Sequence, residues 1–166
     1  MVLKNLDNNF DLFIDQIKQQ PHYCETILNE LNLWLSSDEN NGDKISCIID
    51  ILYTILENRA DLADAIFETS LLTYKYNDVL SYSLLINLIH NNNQLADPVF
   101  SVLKDYILKK SSEGLLVCLF QLINKLAIQH NNIKDKIRDF INYALTLETN
   151  SEFSKKEAQL ALINCK

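Results

Sequence analysis

The chain has 166 residues, 48% of them apolar, with a net charge of −7 and an isoelectric point near 4.9. That much apolar side chain supplies a core for one domain and excludes wholesale disorder. The acidic balance argues against nucleic acid as the main ligand, because phosphate binding needs a basic surface. Glycine and proline number only two each, too few for the corners of a β-sandwich or barrel, so helices joined by short polar loops are expected.

Helical spacing begins almost at once. Phe10, Phe13, Ile14 and Ile17 stand at i, i+3, i+4 and i+7, and Pro21 closes that helix. Tyr23, Ile27, Leu31, Trp34 and Leu35 make a second stripe, with Trp34 placed in the core, before the polar loop at 36–43. Ile45, Ile48, Ile49, Leu52, Ile55 and Leu56 make a third, broken at Asn58, and a fourth runs through Leu62 and Ile66.

The pattern then restarts. Leu62-Ala63-Asp64-Ala65-Ile66-Phe67 is echoed thirty-three residues later by Leu95-Ala96-Asp97-Pro98-Val99-Phe100. A fainter copy, shifted by a further thirty-eight, carries Asn131, Ile133 and Asp135 and continues through Phe140, Ile141 and Ala144. Asp64, Asp97 and Asp135 fall near the start of the second helix of each copy, where a carboxylate caps amides or meets the positive end of the dipole. Pro98 is expected at the first helical position. Asparagines gather between the apolar runs, where they tolerate the left-handed backbone of a helix end. Ser154 and Glu157 have the spacing of a capping box for a last helix.

Two helices joined by a short turn, recurring every 33 to 38 residues, cannot bury their apolar faces singly and are expected to stack. The pattern resembles the HEAT and armadillo families of helical repeats, most clearly over 44–147. It lacks the Trp-Leu-Gly-Tyr pattern of tetratricopeptide repeats and the Thr-Pro-Leu-His of ankyrin repeats. The resemblance implies an all-α fold: a right-handed α-solenoid of about four hairpins (8–36, 44–73, 78–110 and 112–147) and a terminal helix at 153–165, forming a single domain over 1–166.

No segment reads as a signal or a membrane span. The most apolar stretch, 115–128, is too short to cross a bilayer, carries Lys125, and is expected as a buried helix. Cys24, Cys47, Cys118 and Cys165 are too widely spaced for a disulfide framework, and are expected reduced in a cytoplasmic protein. His22, His90 and His130 lie at predicted helix boundaries with no partner at metal-ligand spacing, and no phosphate-cradling or nucleophile motif occurs. Neither an enzyme, a metal nor a cofactor is expected.

Charge is distributed unevenly. Residues 1–78 hold 14 acids and 5 bases, whereas 79–166 hold 8 acids and 10 bases. In the C-terminal half, Lys104, Lys109, Lys110, Lys134, Lys136 and Arg138 are interleaved with Asp105, Asp135 and Asp139, as on neutralised helix faces. Asp61, Asp64 and Glu68 fall on one side of a helical wheel, opposite Leu62 and Ile66. Glu57 leads into this stripe, and Asp38, Glu39 and Asp43 crowd the preceding loop. Such a surface steers a basic partner, with Tyr74 and Tyr76 as nearby interface anchors. The alternative is an ordinary solvated helix face.

In size, charge, helical build and richness in Asn, Ile, Lys and Leu, the chain is similar to the immunity proteins that accompany bacterial contact-dependent (polymorphic) toxins. That resemblance implies stoichiometric neutralisation of a basic toxin domain, such as a nuclease, by the acidic face. It implies neither a nucleic-acid nor a membrane partner, and homo-oligomerisation is not expected. The other expectation is an intracellular scaffold or adaptor that binds several protein partners through its helical-repeat surface.

Overall fold

The computed structural model describes residues 6–36, 44–73, 78–109, 112–147 and 151–166, and among these described residues there are nine α-helices. They are α1 (Leu6–Gln19), α2 (Cys24–Leu35), α3 (Ile45–Asn58), α4 (Ala63–Leu71), α5 (Asp78–Asn91), α6 (Ala96–Leu108), α7 (Glu113–Gln129), α8 (Lys134–Leu145) and α9 (Glu152–Asn164). No strand occurs among the described residues. The fold is all-α, as the apolar spacing predicts.

One local structure recurs four times. A three-residue 3-10 turn precedes α2, α4, α6 and α8, at Pro21–Tyr23, Ala60–Leu62, Asn93–Leu95 and Asn131–Ile133. The residue before each turn closes the preceding helix, its N–H donating to the carbonyl four back: Gln20 to Gln16 (2.9 Å), Arg59 to Ile55 (2.7 Å), Asn92 to Leu88 (2.9 Å) and His130 to Leu126 (2.9 Å). At Gln20, Arg59 and His130 the backbone then leaves the helical region, with φ/ψ of −136/71, −141/67 and −127/89. These φ values are negative, so the helices end through an extended residue and not through the left-handed conformation expected of asparagine. Asparagine acts instead through its carboxamide. Asn58, Asn91 and Asn164 each donate Nδ2 to the carbonyl of residue i−4, at 2.7, 3.0 and 3.2 Å, which ties down the last turn.

The chain divides into two compact units, Met1–Asn92 and Asn93–Lys166, so α5 belongs with the first and the turn before α6 opens the second. In the first unit α3 is central, packing on α1, α4 and α5, while α2 packs on α4. Ile48, Ile49, Ile51, Leu52 and Ile55 of α3 are all within 1% of full burial. Each such side chain contributes roughly 1.5–3 kcal/mol through removal from water. Trp34, expected in the core, is half-buried, because Ile27, Leu28, Leu31 and Leu35 already fill the buried face of α2.

In the second unit α7 is the buried helix expected from its apolar run, with Leu119, Phe120, Ile123 and Leu126 fully enclosed. Its main partner is α9, whose inward residues Ser154, Ala158 and Ala161 are small and fully buried. Small side chains let two helix backbones approach closely. Ser154 is therefore not the cap: Ser151 is, its Oγ accepting from Ser154 N at 3.2 Å. Pro98 is the third residue of α6 and not the first, still within the turn whose N–H groups have no helical partner.

Candidate functional site

The candidate surface lies on the first unit, and its local cause is the second 3-10 turn. Asp61 sits in that turn and Asp64 and Glu68 on α4 behind it, while Glu57 stands on the last turn of α3. All four side chains are exposed. Glu57, Asp61 and Asp64 thus flank the α3–α4 connection, with Asp61 preceding the helix proper, and Glu68 lies further along α4. Asp38, Glu39, Asp43, Tyr74 and Tyr76 lie outside the described residues.

The four acids are not equivalent. Asp61 is gripped by Arg59, with Nε to Oδ1 at 2.8 Å and Nη2 to Oδ2 at 2.6 Å. The same guanidinium reaches Glu25 Oε1 on α2 at 3.1 Å and the Pro21 carbonyl at 3.3 Å. The hydrogen bond from Arg59 holds the Asp61 carboxyl below the usual carboxylate range, and the two carboxylates keep the guanidinium charged well beyond any physiological pH. Asp64 Oδ1 accepts from Asn92 Nδ2 at 3.0 Å. Glu57 and Glu68 have no hydrogen bond or ion pair among the described residues.

The engagement of Asp64 is part of a rule. Glu25, Asp64, Asp97 and Asp135 are the acids in the first turns of α2, α4, α6 and α8. None is a side-chain N-cap, so of the two expected roles only the position near the positive helix end is filled. Three of them accept from a donor supplied by the following helix pair: Glu25 from Arg59, Asp64 from Asn92, and Asp97 from Lys136 Nζ at 2.6 Å. Asp135 accepts from Arg138 of its own helix, and that arginine also donates to the Cys165 carbonyl at 3.3 Å.

Glu57 opens a pocket of about 300 Å³ between α3 and α5, lined also by Tyr53, Leu56, Ala60, Asn87 and Asn91. Asn87 Nδ2 donates to Tyr53 Oη at 3.2 Å and to the Ser83 carbonyl at 3.3 Å. Burial pushes the Tyr53 hydroxyl above its ordinary value, opposed by the hydrogen bond from Asn87 and assisted by the Asp50 charge, so it stays protonated. Sequence spacing singled out Glu57 but not Tyr53, Asn87 or Asn91. Tyr53 and Asn87 stand thirty-four residues apart, one more than the spacing of the echo between Leu62–Phe67 and Leu95–Phe100.

A larger groove of about 470 Å³ lies in the second unit between α6 and α8. Phe100 and Phe140 meet edge-to-face there at 5.9 Å, and Tyr143 and Leu108 are partly exposed. Lys104 and Asp139 on its walls have no partner among the described residues. Its charges are of both signs, unlike the acidic surface of the first unit.

Of the histidines, His22 stacks on Tyr23 with ring centroids 4.4 Å apart, His90 is exposed and His130 is buried. No group of three or more His, Cys, Asp or Glu among the described residues is arranged to hold a metal ion. No helix of the described residues is long and apolar enough to cross a membrane. The chain matches no family model, no curated protein and no solved structure.

Proposed function

We propose that the chain is a cytoplasmic protein-binding module of the α-solenoid repeat type, similar to HEAT and armadillo proteins, that neutralises a basic partner by stoichiometric binding as an immunity protein does. Support for the repeat reading comes from the four turns, which recur at intervals of 39, 33 and 38 residues with the same closing hydrogen bond. The partner is a basic toxin domain, a nuclease with a positive substrate cleft being the best fit to an acidic face.

One observation carries this reading. The first unit holds 14 acids and 5 bases, and Glu57 at the end of α3 and Glu68 on α4 are exposed carboxylates not spent on the fold. Uncommitted like charges repel one another, costing about 0.2–0.5 kcal/mol per neighbouring pair, and they draw in a basic surface at long range. Co-expression with the product of the adjacent gene tests the proposal, scoring growth and complex formation. Rescue from a toxic neighbour with a stable complex supports it, and a harmless neighbour with no complex overturns it. Glu57→Lys/Glu68→Lys should weaken such a complex about tenfold or more, mostly through a slower on-rate that salt also reduces.

A scaffold or adaptor role is the second reading. It is favoured by the separate α6–α8 groove, whose aromatic floor and mixed charges suit a different partner from the acidic surface.

A further inference from the structure

The Glu57 pocket has a chemistry of its own. Its single charge is a carboxylate with no partner among the described residues. Its two carboxamides are oriented by hydrogen bonds that leave no ambiguity between oxygen and nitrogen. The Ser83 carbonyl can only accept, so the Asn87 atom facing it must be the NH₂ group. The Asn87 carbonyl likewise fixes the NH₂ group of Asn91. Asn87 spends both amide hydrogens, one on Ser83 and one on Tyr53. The amide oxygens of Asn87 and Asn91 accept nothing among the described residues. The pocket is therefore lined by a carboxylate, two carboxamides whose oxygens have no donor among the described residues, the half-buried Tyr53 and the buried Leu56.

An anion finds no cation among these residues, and an apolar ligand would strip water from three acceptors without replacing it. A guanidinium meets every requirement: five N–H donors in a planar fork for the carboxylate and amide oxygens, and a flat cationic face for an aromatic ring. An ammonium has fewer donors and a tighter hydration shell, so it matches less well. We propose that the pocket between α3 and α5 is a receptor for an arginine side chain of a protein partner, with Glu57 as its charge-pairing residue, Asn87 and Asn91 as acceptors, and Tyr53 as the stacking platform. This deepens the basic-partner reading and rests on it for the source of the arginine.

The test uses the full chain, ¹⁵N-labelled, titrated with Nα-acetyl-arginine amide and separately with Nα-acetyl-lysine amide while the side-chain amide signals are followed by NMR. Saturable shifts of Asn87 and Asn91 with the arginine probe are expected, with weaker binding of the lysine probe. Glu57→Gln, on an exposed side chain, should weaken the arginine probe about tenfold, the scale of one hydrogen bond to a charged group. Ala60→Leu should block it by filling the pocket, and Asp105→Asn, on the second unit, should change nothing. Absence of saturable shifts, equal response to both probes, or indifference to Glu57→Gln overturns the proposal. The two readings fail separately. A neighbouring gene product that binds the chain but is insensitive to Glu57→Gln sinks the pocket and leaves the partner. Arginine binding without any such complex keeps the pocket and sinks the partner.

Discussion

Arg59 Nη2 stands 3.1 Å from Glu25 Oε1, across thirty-four residues of sequence, while its Nε and Nη2 hold Asp61. One side chain at the exit of α3 thus fastens its own turn to the start of α2. Asn92 does the same for Asp64, and Lys136 for Asp97. Of the acids that make the repeat visible in the sequence, Asp64 and Asp97 are therefore fastenings to the following helix pair, whereas Asp135 is held within α8.

Arg59→Ala should lower the thermal midpoint more than Lys18→Ala, an exposed lysine of α1 with no partner among the described residues. Arg59→Lys should recover only part of the loss, because an ammonium cannot keep the two-point grip on Asp61 while reaching Glu25 and Pro21. Thermal melts followed by circular dichroism decide it. Equal midpoints for the alanine variants would remove the fastening role.

The Arg59–Asp61 pair also sets a pH dependence. The folded carboxyl titrates below its unfolded value, so between those two values the unfolded chain binds more protons. The stabilisation is complete above the unfolded value, about 3.9, and is lost as pH falls through the folded one. Denaturation of the parent and of Asp61→Asn should therefore differ by a constant amount from about pH 5 to 8 and converge towards strong acid.

Substitution of the acidic stripe should separate into two classes. The sequence alone predicts that Asp61, Asp64 and Glu68 can all become lysine with the fold intact. The structure adds a difference in stability: Asp61→Lys faces Arg59 with a like charge, and Asp64→Lys loses its bond to Asn92. Those two should unfold at lower urea concentrations, whereas Glu57→Lys and Glu68→Lys should not. Partner affinity should respond to the second pair.

In the second unit, Phe120→Ala should cost about 3–5 kcal/mol, because a fully buried ring leaves a cavity that its neighbours cannot close. Ala161→Leu, on the buried face of α9, should cost about 1–3 kcal/mol through the opposite fault, overpacking. Urea unfolding of each variant measures both values.

Thiol reactivity should follow burial. Desolvation pushes the Cys24 and Cys165 thiols up, more than the nearby arginine and lysine charges lower them, and both are buried. Cys47 and Cys118 are only partly covered. Alkylation at mildly alkaline pH, resolved by peptide mass, should label Cys47 and Cys118 first.

The sequence by itself determined the helices and the places along the chain where they break. Those depend on apolar residues spaced by the 3.6-residue turn and on breaks that a one-dimensional pattern records. Asp64, Asp97 and Asp135 were legible as a set because each holds the same place in its copy. Their purpose was not legible. A helical wheel shows which way a carboxylate leaves its own helix, but not what the next pair brings within 3 Å of it. Asp61 and Glu57 look alike on that wheel, and only the tertiary structure decides that one is held by Arg59 while the other opens onto Tyr53, Asn87 and Asn91. The starting residue of α9 was likewise settled by the structure: Ser154 has the spacing of a cap but is buried inside the helix, and Ser151 takes the cap. Hydrogen bonds and ion pairs fall away within a few ångströms, so they answer to distances between helices, which apolar periodicity does not encode.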